Sequence, residues 1–562
     1  MARTRMAKHT FWNGTVARIA VLACLIATTG HFACAEPEEL IVYVDQAAPA
    51  GGDGSSWDRA FRDIHDATDL VLDTTLQAPH DLIEIRLAKG VYRPDRGTGN
   101  RATAFLFAAS GELTRNFHVR GCFRGFGASE PDKQDFEERT ILSGDLQNDD
   151  LPGFVNRSDN SFLVASAGLY AVSVLFEGID VRGGYAALGE STSPRGETGG
   201  LRLTVSSPVG DPNDSTVLQD CRFEENQTDR TMGAGVTILA PSAQIVYCEF
   251  RRNRALRAPG GAVALAVQYG FSTGFYSCVF ESNSATHGGA IYQERNRIDV
   301  ARCVFVGNTA EVEGGAIAGI GGTTAASLFV RNRAGGSGGA IATTGYLGAK
   351  IGACTFVSNT AGVGAAINSY SSGLNVTQCL FADNVSSSPA GVDLRCIDTV
   401  QPSQFSYNLF SQGLSTIDIE GGTATYSQNL INQNAQFIRP ANPTDTDSEW
   451  ENWNYRLRLN SKGIGIGGQW AGRDLDGRWR NDGNPKPGDA GCYYYSYFTC
   501  PANISRDLDQ FVDDADFVLF IGAYIEQISP PANPDADLNR DGLVDDADFS
   551  LFAATYDRLI CP

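Results

Sequence analysis

The sequence predicts an all-β right-handed parallel β-helix, a solenoid with an N-terminal capping helix, followed by a small α-helical domain built on paired calcium loops. Three observations carry the prediction. A Cys-x-Phe-x-x-Asn string returns every 24 to 30 residues between 221 and 384. A Gly-Gly-Ala string ending in Val or Ile follows the Asn in four of these coils. A nine-residue acidic and apolar string, starting at Val512, recurs 32 residues later at Val544.

The bulk composition agrees with such an architecture. At 562 residues the chain exceeds one ordinary globular core, and with 62 Gly, 19% charged and 42% hydrophobic residues it reads as a turn-rich β protein. Residues 1–35 read as a secretory signal: a basic stretch to Arg18, an apolar run over 19–28, and the small-residue site Ala33-Cys34-Ala35. A lipoprotein reading at Cys24 would leave almost no hydrophobic segment ahead of the cysteine. The formal charge is -21. Removing Arg3, Arg5, Lys8 and Arg18 with the signal leaves 40 minus 65, or -25. That balance repels nucleic acid and anionic membranes and favours divalent cations. No other stretch approaches the roughly 18 apolar residues of a membrane span, so the expected mature protein is soluble or peripherally attached, secreted or at the cell surface.

Trp57, Phe61, Ile64, Thr68 and Val71 recur at helical spacing after Ser55 or Ser56, which predicts a short amphipathic helix plugging the open first coil. The repeat itself begins at Cys221, Phe223 and Asn226 and continues through Cys248, Cys278, Cys303, Ser327, Cys354 and Cys379, in steps of 27, 30, 25, 24, 27 and 25 residues. These steps are too short for a βαβ unit and suit one solenoid turn. Period-2 alternation puts each Cys and the Phe two residues on at the same inward face. Stacking coils roughly 4.8 Å apart then predicts two buried ladders, with the six Cys as reduced thiols. Asn suits the turn because it tolerates a left-handed backbone and can bond the neighbouring coil. The Gly pair permits a tight corner. Outward charges fall into alternating columns, Arg222 on Glu249, Glu224 on Arg251 and Glu281, and Glu225 on Arg252. The aromatic run from Cys492 to Phe498 is expected to pack over the last coil, a sugar-binding role for its tyrosines being the weaker reading.

The Gly-Gly-Ala-Ile and Phe-x-x-Asn strings resemble the repeats of the polymorphic outer-membrane proteins, within the pectate-lyase-like β-helix superfamily. Other segments resemble secreted β-helix proteins of this group: Ile41 to Asp45 with Gly54 to Trp57, Lys89 to Tyr92, Thr140 to Asp145, Phe176 to Gly184, and Asp474 to Arg478. The resemblance spans about residues 41–493 and implies a cap and first coils over 36–135, a β-helix over 136–493 with closing coils near Tyr455, and a separate domain over 494–562. About 70 residues after the coils are too few for an autotransporter barrel.

That last domain holds a full oxygen cage: Asp537, Asn539 and Asp541 at loop positions 1, 3 and 5, Gly542 at the turn, the Leu543 carbonyl at 7, Asp545 at 9 and Asp548 at 12. The first copy keeps Asp507, Asp509, Asp513 and Asp516 but places Ser505 at position 1, Gln510 at the turn and the Phe511 carbonyl at 7, a weaker or empty site. Asp at position 12 and one helix after each loop resemble a type I dockerin, which implies Ca2+ and a cohesin-like partner. The places where cellulosomal dockerins carry hydroxyls hold Asp514-Ala515 and Asp546-Ala547 here. A solvated acidic tail is the plainer alternative. Cys500 and Cys561 flank the two loops by five residues each and predict a bridge, with Cys122, Cys396 and Cys492 single.

Catalysis is not assigned by the fold. The Asn-Thr-Asp, Gly-His-Gly and Arg-Ile-Lys strings of polygalacturonases do not occur in the repeat region. His287 is the one histidine within the coils, and register sets it beside Glu313, since both precede Gly-Gly-Ala-Ile; an acid-base couple is weighed against an incidental surface pair. Two functional classes follow. One is a non-catalytic exported β-helix that binds an extracellular polysaccharide or cell-surface component and is tethered through its calcium module. The other is a polysaccharide lyase or glycoside hydrolase.

Overall fold

The computed structural model describes residues 39–562 except 73–81, 110–115, 171–172, 187–197, 207–214, 230–231, 241, 267–271, 345–347, 371–372, 389–391, 399–400, 414–415, 443, 458–460, 467–472, 477–488, 494–511, 513, 527–535, 539–542 and 557–562. The signal segment and the Cys500 to Cys561 bridge therefore lie outside the described residues.

Each repeat forms one coil of a parallel β-helix with four walls. In one coil these are Glu249–Arg251, Arg254–Ala255, Val263–Leu265 and Ser272–Tyr276. The first wall repeats as a 12-stranded parallel sheet and the second as an 8-stranded one; the third and fourth join in a 23-stranded sheet. Register follows the sequence motif: Phe223 pairs Phe250, then Phe280, Phe305, Phe329, Phe356, Phe381 and Phe410. Their rings stack face to face at 4.7 to 5.0 Å between centroids, so the aromatic ladder runs one coil beyond the last full motif. All nine described cysteines are buried.

The left-handed residue of the turn is not the Asn. It is the residue before it, as at Glu225, Arg252, Ser282, Arg331, Ser358 and Asp383, with φ of 51 to 55°. A second left-handed residue precedes each Cys, as at Tyr247, Ser277 and Arg302. The Asn side chain is thereby freed for the other expected task. Asn253 Nδ2 donates to Phe223 O at 2.8 Å and to Asn283 Oδ1 at 3.0 Å, and its Oδ1 accepts the Asn226 backbone N–H. The pattern continues through Asn308, Asn332 and Asn359 to Asn384, every one of these side chains 0% exposed. At the end of this ladder Asn384 Nδ2 donates to the buried Asp393 carboxylate at 2.9 Å. Asparagine then moves to the Cys column, where Asn408 and Asn429 continue the same bonding.

The two corner glycines do different work. Gly288 has φ of 58°, while a Cβ at Gly289 would lie 2.2 Å from the carbonyl oxygen of Gly315 on the next coil. The first needs a left-handed backbone; the second needs the missing side chain.

At the N-terminus the helix, α1, spans Ile64–Leu72 and buries Ile64, Ala67, Thr68 and Val71. Trp57 and Phe61 are not on it: Trp57–Arg59 is a separate 3-10 turn, and Phe61 makes an isolated parallel bridge to Val44. Asp63 rather than Ser55 or Ser56 caps α1, accepting the His65 backbone N–H at 2.8 Å.

The closing coils expected near Tyr455 are not coils. The described residues between 435 and 493 fold back along the outside of the first wall. There Val304, Val306, Leu328, Val330, Val357, Leu380 and Leu409 point outward, and Phe437, Trp453, Tyr455, Leu457, Leu475 and Cys492 cover them. Cys492 N donates to Thr355 Oγ1 at 3.0 Å, so the start of the aromatic run sits on this wall instead of over the last coil. Its remainder from 494 is outside the described residues. A parallel sheet apolar on both faces must be covered on both. The C-terminal helices α2, Asp514–Glu526, and α3, Asp546–Tyr556, pack through Phe520, Ala523, Leu538, Val544 and Phe552.

Candidate functional sites

The outer face of the first wall carries the charge columns expected from register. Arg222 meets Glu249 at 3.4 Å, Arg251 meets Glu281 at 2.9 Å, and Arg252 meets Glu225 at 3.0 Å and also Glu224. These pairs are not all at a solvated surface. Glu281 is 2% exposed because the cover reaches it: Trp450 Nε1 donates to its carboxylate at 3.2 Å, and Arg251 also binds Glu451. Burial raises the Glu281 pKa ahead of the opposing pull of Arg251 and Trp450. Further along, Arg331 donates to the Asp445 and Asn442 carbonyls and lies 4.7 Å over the Trp453 ring.

His287 and Glu313 are register neighbours, as the motif spacing requires. They do not form an ion pair. His287 Nδ1 instead lies 3.2 Å from Thr286 Oγ1, and its ring packs edge-on to Tyr292.

Sequence reasoning missed a second group. On the fourth wall of the first coils Glu84 is 6% exposed at its side chain and is met by Arg86 at 2.5 Å, Arg120 at 3.6 Å and His118 at 3.8 Å. Burial alone would raise its pKa, but His118, Arg86 and Arg120 outweigh burial and hold the carboxyl down at about 2. Arg120 also binds Glu177 at 2.7 Å, and Gln134 and Gln219 donate to the same carboxylate. Asp132 accepts Arg86 and the Trp57 indole. Each acid is matched by donors from the wall or from the segment 124–136, so the network fastens that segment. The signal was present: in Leu82–Ala88, Glu84 and Arg86 alternate with apolar residues.

A third group gathers Asp145, Asp149 and Asp159, with carboxylate oxygens within 4.8 Å of one another. Beside it burial lifts the Asp150 pKa to about 6 against the pull of Asn160 and Arg157.

In the C-terminal module, Asp537, Leu543, Asp545, Asp548 and Asp516 are described; Ser505, Asp507, Asp509, Phe511, Asp513, Asn539 and Asp541 lie outside the described residues. Asp545 caps α3 by accepting the Ala547 N–H at 2.8 Å, while Asp548 accepts the Asp545 N–H at 3.0 Å, a reciprocal capping box. Asp548 and Asp516, the two position-12 acids, are 0% exposed, and Asp537 is 3% exposed. Arg506 and Arg540 are the only cationic side chains between 505 and 556. An oxygen-only donor set of this spacing is the kind a hard divalent ion such as Ca2+ takes. The repeats also clasp each other: Tyr524 OH donates to Asp546 and Tyr556 OH to Asp514, each at 2.5 Å. Among the described residues no helix is long and apolar enough to cross a membrane.

Comparison with known proteins places one segment. Residues 277–294, covering the coil from Ser277 through Cys278, Phe280, Asn283 and Gly288-Gly289-Ala290-Ile291, match the Chlamydia polymorphic membrane protein repeat. No curated protein matches the chain.

Proposed function

We propose that this chain is an exported, non-catalytic β-helix that works at the cell surface as an adhesin-type scaffold, binding polysaccharide or another surface component and tethered through a calcium-dependent C-terminal module. The observation that carries the reading is the state of the outward charges. On the first wall, and on the fourth wall of the first coils, they are engaged in coil-to-coil ion pairs, and His287 and Glu313 share a register without forming an ion pair. General acid-base work needs groups poised on a substrate rather than neutralised by neighbours. The repeat match over 277–294 to a family named for membrane proteins supports the surface location.

In the module, Ca2+ would be held by Asp537, Asn539, Asp541, the Leu543 carbonyl, Asp545 and Asp548. The weaker loop would use Ser505, Asp507, Asp509, the Phe511 carbonyl, Asp513 and Asp516. A cohesin-like partner would have to use faces other than Asp514 and Asp546, which the tyrosines of the opposite repeats engage. The test is incubation with a panel of acidic and neutral polysaccharides, read for unsaturated products, reducing ends and retention. Retention without product supports the proposal; either product class would overturn it in favour of a lyase or glycosidase.

A further inference from the structure

The outer face of the fourth wall changes character along the solenoid. In the first coils it carries the closed network around Glu84. From the coil of Tyr276 onward, two outward columns run side by side in unbroken parallel register. One is Asp299, Thr323, Lys350, Asn375, Gln404 and Thr425. The other is Tyr276, Ala301, Ala325, Gly352, Thr377, Ser406 and Ser427. The inward partners Val300, Ile351, Val376 and Phe405 are buried, which fixes these columns as outward. Lys350, Asn375, Gln404 and Thr425 stand exposed. In a chain of net charge -21, this strip carries one acid, Asp299, and one base, Lys350. The rest is amide, hydroxyl or a small side chain.

At the head of the strip lies an aromatic platform. A Cβ at Gly274 would fall 2.5 to 2.7 Å from Cε2, OH and Cζ of Tyr276, so the tyrosine ring lies down across Gly274 on the sheet face. Tyr276 is partly exposed, Gly274 beneath its ring pairs with Gln244 on the preceding coil and Asp299 on the next, and Tyr247 nearby in sequence on the preceding coil is exposed. A ring laid flat on a wall, beside side chains that both donate and accept hydrogen bonds, is what the apolar face and hydroxyl rim of a sugar require.

We infer that this strip, from Tyr276 to Thr425, is the binding track for an extended neutral polysaccharide, with Tyr276 stacking on a sugar ring and Asn375 and Gln404 bonding hydroxyls farther along. The inference rests on the polysaccharide-binding reading above and gives it a location. Coils repeat roughly every 4.8 Å, close to the length of one sugar unit in an extended chain, so successive rungs meet successive units. The low charge selects a neutral glycan: an acidic one would face a single Lys350 against the field of a strongly acidic protein. Ala301, Ala325 and Gly352 place only small side chains beside the polar column.

The test is affinity electrophoresis of the full chain in gels containing neutral β-linked glycans or an acidic polyuronate, with three variants. Tyr276→Ala removes the platform. Gly274→Val displaces the ring without touching a contact residue, and Gly274 has no left-handed backbone to restrict the change. Asn375→Ala with Gln404→Ala removes the middle rungs. The expected result is retardation of the parent by a neutral glycan and a roughly tenfold or greater loss in each variant, with unchanged far-UV circular dichroism. Parent binding that all three variants keep would overturn the track while leaving polysaccharide binding intact. A parent retarded only by the polyuronate would overturn the neutral-glycan assignment, and a parent retarded by no glycan would overturn both readings.

Discussion

Replacing Asn308 by Ala removes a full rung of the buried amide ladder. Its Nδ2 donates to Phe280 O and Asn332 Oδ1, each at 2.9 Å, and its Oδ1 accepts the Asn283 backbone N–H at 3.1 Å and Asn283 Nδ2 at 2.9 Å. Four bonds at about 1 kcal/mol each set the scale, and the Asn283 N–H left without its acceptor at a fully buried position keeps the cost at the upper end. The expected destabilisation is about 3–5 kcal/mol. Asn308→Asp should be worse at neutral pH, since it sets a carboxylate oxygen against the Phe280 carbonyl and Asn332 Oδ1. A buried acid of this kind has a raised folded pKa, so its penalty is full above that pKa and relaxes as pH falls and the group protonates. Urea unfolding followed by far-UV circular dichroism at pH 7 and pH 4, with hydrogen exchange at the Asn283 amide, reads all of this. A cost below about 1 kcal/mol for Ala, or an Asp variant no worse than Ala at pH 7, would refute the ladder as a stabilising device.

Three further outcomes are expected. Burial holds the Asp393 pKa up at about 6, against Thr416 and Asn384, compared with about 3.9 when unfolded. Stability should therefore fall as pH rises from about 4 through about 6, by on the order of 3 kcal/mol, and Asp393→Asn should flatten that slope in pH-dependent melting. Cys221, Cys248, Cys278, Cys303, Cys354 and Cys379 should resist a thiol reagent in the native protein and react only on unfolding; rapid native labelling of more than one, or a mapped disulfide among them, would contradict the buried column. Asp548→Ala should abolish calcium-dependent stabilisation of the C-terminal module in calorimetry while β-helix melting is unchanged, and loss of both together would show that the two parts are not independent.

The solenoid was legible because its repeat writes geometry directly: the two-residue Cys-to-Phe offset marks one strand face, and a constant offset to Asn, with Gly-Gly five to seven residues beyond it, marks stacked corners. What escaped was whatever depends on tertiary partners. The outward residues beside each Phe pass from Arg and Glu at 222 and 224 to Val, Leu and Ala at 304, 328 and 382, a gradient that announces a covered wall, yet nothing local says that residues 435–493 supply the cover. The left-handed position was misassigned to Asn because residue preference was weighed without the side chain's competing need to reach the next coil. Trp57 and Phe61 matched a helical period by chance of spacing, and the Glu84 network joins residues from strands far apart in sequence.

The fold-back of the described residues between 435 and 493 has a consequence for how the chain comes into being. A stack of coils touching only nearest neighbours can fray from either end and propagate order one rung at a time. Here Trp450 grips Glu281 across 169 residues, so a segment that leaves a ribosome or an export channel well after those coils buckles them down. Until it arrives, Val304, Leu328 and Val330 form a greasy stripe in open water; once it closes, the middle coils can no longer peel away singly. A stalled or clipped product would thus advertise itself by stickiness and protease sensitivity, giving quality control a mark by which to tell a finished molecule from an unfinished one.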